Sequence, residues 1–169
     1  MSRSDEVVVQ DAFIEPGYAY LPAVPTRLST VVASGVAVAM YDVRREVGGM
    51  NHYVFPKRRQ DAPSTARFAL PAIVALFNML RDSGSRTEDI EVHMFGGASN
   101  SQSERHVPGL AEDNVRVGRE ILAKLKLTKI HADTGGARGR KVIFNTKTGE
   151  TVVAIVERIR ESDWYPECA

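Results

Sequence analysis

The run Val31-Val-Ala-Ser-Gly-Val-Ala-Val-Ala-Met-Tyr41 contains only β-branched, small and apolar residues and stops at Asp42, which predicts a buried strand or strand pair. Ala33, Ser34, Gly35 and Ala37 give it little side-chain volume, and a glycine in a strand marks close approach of another backbone or a ligand. Gly48-Gly49 predicts a turn that delivers residues 50–55 as a neighbouring strand, ended by Pro56. Beyond the polar loop 57–64, residues 67–81 place Phe68, Ala72, Ala75, Leu76, Met79 and Leu80 at helical spacing. Ser64 is the candidate cap, and Pro71 is tolerable in the first turn.

Ile90-Glu-Val-His-Met-Phe95 alternates as a half-buried strand and runs into Gly96-Gly97 and a polar loop through Pro108. Residues 111–127 then predict a second helix with Val115, Gly118, Ile121, Leu122 and Leu125 on its stripe and Glu112 and Asp113 near its positive end. Strands follow at 129–132, 141–145 and 150–157, the last two joined as a hairpin by Thr146-Lys-Thr-Gly149. Strands and helices that do not strictly alternate predict an α+β fold of layered mixed β-sheets flanked by helices.

With 169 residues, 43% of them hydrophobic and 25% charged, the chain has the size of one domain, expected over 1–157 and followed by a polar tail, 158–169. Twenty-two Lys and Arg against 21 Asp and Glu remove the electrostatic case for a nucleic-acid binder. The single cysteine, Cys168, excludes an intrachain disulfide and a cysteine-ligated zinc site, and fits a cytoplasmic protein. Residues 1–6 lack an apolar signal core, and the apolar run 31–40 falls short of the roughly 20 residues of a membrane helix, so neither export nor membrane insertion is expected. Trp164 and Tyr165 in the tail read as an anchor onto the body or as a partner-binding peptide.

His52, His93, His106 and His131 lack the spacing that puts two ligands on one face, so no metal site is expected. His52 stands out because it lies beside a strand of very small residues, where a substrate can approach an imidazole. Gly135-Gly-Ala-Arg-Gly-Arg-Lys141 reads either as an anion cradle or as a tight turn into a strand. Backbone geometry is expected of Gly96 and Gly97, and helix-start capping of Asn114.

Several segments, taken in order, resemble the CheD family of chemoreceptor glutamine deamidases. Residues 30–38, T-V-V-A-S-G-V-A-V, are similar to the family stretch T-L-L-G-S-C-V-A-V, and residues 48–52 match G-G-M-N-H. Phe95-Gly-Gly-Ala98, Glu112-Asp-Asn-Val115, Asp133 to Val142 (D-x-G-G-x-x-G-R-K-V) and Phe144 to Gly149 continue the series, which spans 26–157. The resemblance implies a layered fold similar to the deamidase domain of cytotoxic necrotizing factor toxins. It also implies a cofactor-free reaction in which a cysteine thiolate attacks a receptor glutamine, ammonia leaves, and water hydrolyses the thioester to glutamate.

By motif position His52 is the base and Thr30 its orienter, while the nucleophile falls on Gly35, which can form neither a thiolate nor an acyl intermediate. Ala33 is a second departure beside it, and Leu70 departs from an acidic position of the family. Strand alternation aims Ser34 to the opposite face, and Cys168 lies in the tail. The implied substrate-binding set is Ser34, Asn51, Arg138, Arg140 and Lys141, the cations meeting an acidic receptor helix. The expected function is therefore that of a catalytically impaired CheD-like protein that still binds a chemoreceptor cytoplasmic domain or a CheC-type phosphatase. The alternatives are a working deamidase that uses another nucleophile, or whose natural cysteine has been replaced, and an unrelated small-molecule or anion-binding module.

Overall fold

The computed structural model describes residues 8–166, so Cys168 lies outside the described residues. Two mixed sheets stack face to face, and two helices cover the far side of the second sheet. The first sheet orders β1 (Gln10–Phe13), β3 (Thr26–Val32), β8 (Gly139–Asn145) and β9 (Thr151–Val156) as β1-β3-β8-β9, with β1 and β3 parallel. The second orders β2 (Ala19–Tyr20), β5 (Val47–Tyr53), β4 (Val36–Asp42), β6 (Ile90–Gly96) and β7 (Ile130–Thr134) as β2-β5-β4-β6-β7, with β6 and β7 parallel. Helices α1 (Ala69–Asp82) and α2 (Leu110–Lys124) pack on its outer face, and the short α3 (Glu161–Trp164) lies against β3. This is the α+β layering that the mixed element order predicts.

Strand β4 is buried along its whole length because it has a core on each side. Val36, Val38 and Met40 meet Ile73, Leu76 and Leu80 of α1 and Ile121 and Leu122 of α2. Ala37 and Ala39 face Leu28, Val142 and Phe144 of the first sheet, where small side chains let the sheets approach. A period-2 strand buried on both faces reads as a continuous apolar run, which is why this segment is legible in sequence.

The run 31–41, expected as a strand or strand pair, is two strands, which belong to different sheets, with the bend 33–35 crossing between them. Two predicted details differ. Gly48 and Gly49 lie inside β5, and the turn precedes them at residues 43–46. Their role is packing: a Cβ at Gly48 would lie 2.8 Å from the Phe144 ring, and one at Gly49 2.5 Å from the Tyr20 carbonyl. Ser64 does not cap α1; Phe68 precedes the helix without a side-chain cap, its backbone bridged to Phe55. Neither of the short strands β1 and β2 has enough length to show a period, and sequence reasoning missed both.

We expect Gly48→Ala to lower stability by about 1–3 kcal/mol in chemical denaturation, the usual cost of overpacking a core. A glycine serving only a turn would tolerate this change, since Gly48 does not adopt a left-handed conformation.

Candidate active site

The crossing bend 33–35 lies at the floor of an open cleft of about 980 Å³, and His52 of β5 stands beside it. Three carbonyls tie the bend down. Ala98 N–H donates to Ala33 O (2.8 Å), Gly97 N–H to Gly35 O (2.9 Å), and the Asn114 amide nitrogen to Ser34 O (2.9 Å). The amides of Ser34 and Gly35 meet no protein acceptor among the described residues, and both residues line the cleft. Gly96 and Gly97 adopt positive φ (118° and 66°), and a Cβ on Gly96 would strike the Gly35 carbonyl, so the loop after β6 needs glycine to reach the bend.

Thr30 of β3 and His52 come from different sheets and meet at 2.9 Å, Oγ1 to Nδ1. The Thr30 hydroxyl has one proton, and it goes to the Ile14 carbonyl at 2.7 Å. Nδ1 must therefore donate to Thr30, which leaves the His52 Nε2 lone pair free. Full burial pushes the His52 pKa down to about 3, so the imidazole is neutral across the physiological range. A Cβ on Gly35 would sit 3.0 Å from His52 Nε2 and 2.8 Å from the Tyr53 carbonyl, so a side chain at 35 would face the free lone pair at close range. Gly35 has no left-handed φ, so its φ admits an L-residue, but the Tyr53 carbonyl is backbone, so β5 or the bend must shift to take a Cβ there.

The structure brings Thr30, Ser34, Gly35 and His52 together and separates them from the rest of the expected set. Ser34 lies on a bend, so strand alternation does not dictate its direction, and it is half-buried in the cleft wall. Asn51 is fully buried on the opposite face of β5, receiving Val38 N–H at Oδ1 and donating to the Ala72 carbonyl, so it cross-links β4 and α1 outside the cleft. Arg140 is also buried, holding the loop 133–135 through Asp133, the Gly135 carbonyl and the Gly96 carbonyl. Arg138 pairs with Glu157 at 3.6 Å, and Lys141 is exposed; neither lines the cleft. The 135–141 segment is thus a braced turn into β8.

Other cations line the cleft instead: Arg67, Arg105, Arg158 and Arg160, with Glu104 and Glu157 among them. Trp164 forms part of the wall, with the Arg105 guanidinium 5.1 Å above its ring, joining the C-terminal segment to the loop after β6. These residues come from four separate stretches of sequence, so no local motif could announce them; only Trp164 carried a signal. Asn114 does not cap α2, whose N-cap is Gly109. It lies one turn in, fully buried, and its side-chain nitrogen clamps Ser34 O and Val54 O, while its backbone carbonyl accepts the Tyr53 hydroxyl. Among the described residues no cluster of three or more His, Cys, Asp or Glu could hold a metal, and no helix is long and apolar enough to cross a membrane.

The site thus holds a neutral imidazole oriented by a hydroxyl, with two amides that meet no protein acceptor among the described residues, beside a glycine. The sequence profile of the family described as CheD, CheD chemotactic sensory transduction, matches residues 54–155, a span that begins just after His52. The chain is 34% identical over 137 residues to the "Probable chemoreceptor glutamine deamidase CheD 1" of Anaeromyxobacter dehalogenans, covering 81% of this chain and 80% of that one. It is 31% identical over 146 residues to "Probable chemoreceptor glutamine deamidase CheD 2" of Geobacter sulfurreducens, covering 86% and 90%. The chain belongs to the CheD family.

Burial of neutral His52 has a consequence for stability. The unfolded chain takes up a proton near pH 6.5 that the folded chain refuses until about pH 3, so stability falls as pH drops through this window. We expect a loss of up to roughly 4 kcal/mol between pH 7 and pH 3.5 from this residue. Denaturation of His52→Gln over the same range should show a correspondingly shallower slope.

Proposed function

We propose that this chain is a CheD-type protein that keeps the family's binding cleft and base but lacks the nucleophile, and so binds a chemoreceptor cytoplasmic helix with little or no glutamine deamidation. The carrying observation is the position of Gly35: its Cβ direction meets His52 Nε2 at 3.0 Å, the place from which a thiol would attack. Relatives named as glutamine deamidases supply the substrate class. Binding needs no thiolate, and the arginines around the cleft suit an acidic helical partner, a receptor or a CheC-type phosphatase.

Ser34 supports a second reading, since it lines the same cleft one residue away and its direction is free of strand alternation. In that reading the Ser34 hydroxyl attacks and the protein is a slow deamidase. The two readings part on the Ser34→Ala variant.

The test is mass spectrometry of receptor cytoplasmic fragments, scoring conversion of glutamine to glutamate. We expect Gly35→Cys to raise conversion by about 10³-fold or more, the scale on which a missing nucleophile is felt. Adding Thr30→Val to that variant should cost about 10–100-fold by releasing the imidazole's orientation. Conversion by the unmodified chain that disappears in Ser34→Ala would favour the second reading.

A further inference from the structure

Past β9 the chain continues along the cleft: residues 157–160, Trp164 and Tyr165 all line it. This segment starts beyond residue 155, where the match to the family profile ends. It reaches the loop after β6, and the two walls meet where the Arg105 guanidinium lies 5.1 Å from the centre of the Trp164 ring.

The segment is anchored at its root and weakly held at its tip. Glu157 pairs with Arg138 at 3.6 Å, and the Ile159 side chain fills the space that a Cβ on Gly139 would take. Beyond Ile159, the backbone–backbone hydrogen bonds among the described residues stay inside the segment, Asp163 N–H donating to Arg160 O and Tyr165 N–H to Glu161 O. Helix α3 has four residues, a single turn, far below the length at which a helix holds itself together in water. None of residues 157–166 is buried. The tip therefore depends on the packing of Trp164 and Tyr165 and on one cation–π contact whose cation is itself exposed. Elements with so few ties are the ones that open locally while the rest of a fold stays closed.

We infer that residues 157–165 are a detachable strap, latched by Trp164 on Arg105, that must lift for a helix to occupy the cleft. The inference rests on the proposed helix-binding reading and adds to it how access is regulated. A helix with its side chains is about 10–12 Å across, and the joined walls leave no continuous groove on the side where strap and loop meet. Within a docked interface a partner carboxylate takes Arg105 from the ring, because a charge-assisted hydrogen bond outweighs an exposed cation–π contact. Docking then favours the open strap, and apparent affinity scales with the fraction of chains in which it is open.

Two measurements test the strap, one of them without any partner. In the full chain carrying Cys168→Ser, the thiol introduced on the cleft floor by Ser34→Cys is alkylated by iodoacetamide and by a polyethylene-glycol maleimide. We expect Trp164→Ala to raise the ratio of the bulky to the small reagent's rate by about 2–5-fold or more, the scale of one lost cation–π contact, and Trp164→Phe to leave it near its starting value. In the unmodified chain, acrylamide quenching of Trp164, the single tryptophan, is followed as a glutamate-bearing, receptor-derived helical peptide is added. We expect quenching to rise as the peptide binds. An unchanged or lowered ratio in Trp164→Ala, or a bound peptide that leaves Trp164 equally or better shielded, overturns the inference. A raised ratio with no peptide binding upholds the strap and overturns the helix-binding reading instead.

Discussion

The contact between Thr30 and His52 holds the site together, because it fixes the imidazole's proton and joins the two sheets at one point. Its strength depends on a third group, the Ile14 carbonyl, which occupies the threonine's only proton and so forces the histidine to donate. A buried neutral imidazole with one nitrogen satisfied in this way is rigid, and its free lone pair has a single direction. Nε2 lies 3.0 Å from the ideal Cβ position of Gly35. The bend 33–35 is fixed with equal care, each of its carbonyls bound by a donor from the loop after β6 or from α2. A fixed imidazole and a fixed bend therefore surround a residue with no side chain.

This pattern separates fold from reaction. The fold and the family are shown, while a reaction is an inference through particular residues, and in the proposed reading it passes through a side chain that glycine lacks. The buried histidine carries a cost in acid, since a group that cannot accept its proton when folded favours the unfolded chain.

Much of the fold was legible in the sequence, for a physical reason in each case. The doubly buried β4, the alternating β6 and the two amphipathic helices have periods set by their burial, and their ends fell within a few residues of the structure. The Gly48-Gly49 pair was misread because close packing and turn geometry both select glycine, and sequence does not distinguish them. Thr30, Gly35 and His52 were legible through an ordered motif, and they converge. Asn51 and Arg140 belong to the same motifs but act as internal cross-links, since motif membership says nothing about which way a side chain points. The arginines of the cleft and the Ile14 carbonyl were invisible, the former because three distant segments assemble them and the latter because it is backbone.

The central claim is that His52 is a neutral imidazole protonated on Nδ1 with Nε2 open toward residue 35. The ring ¹⁵N shifts of His52, followed from pH 8 down to pH 4, test it directly. The account requires a protonated Nδ1 and a bare Nε2 throughout, with no titration above pH 4. A proton on Nε2 in the neutral form, or titration near pH 6.5, would contradict it.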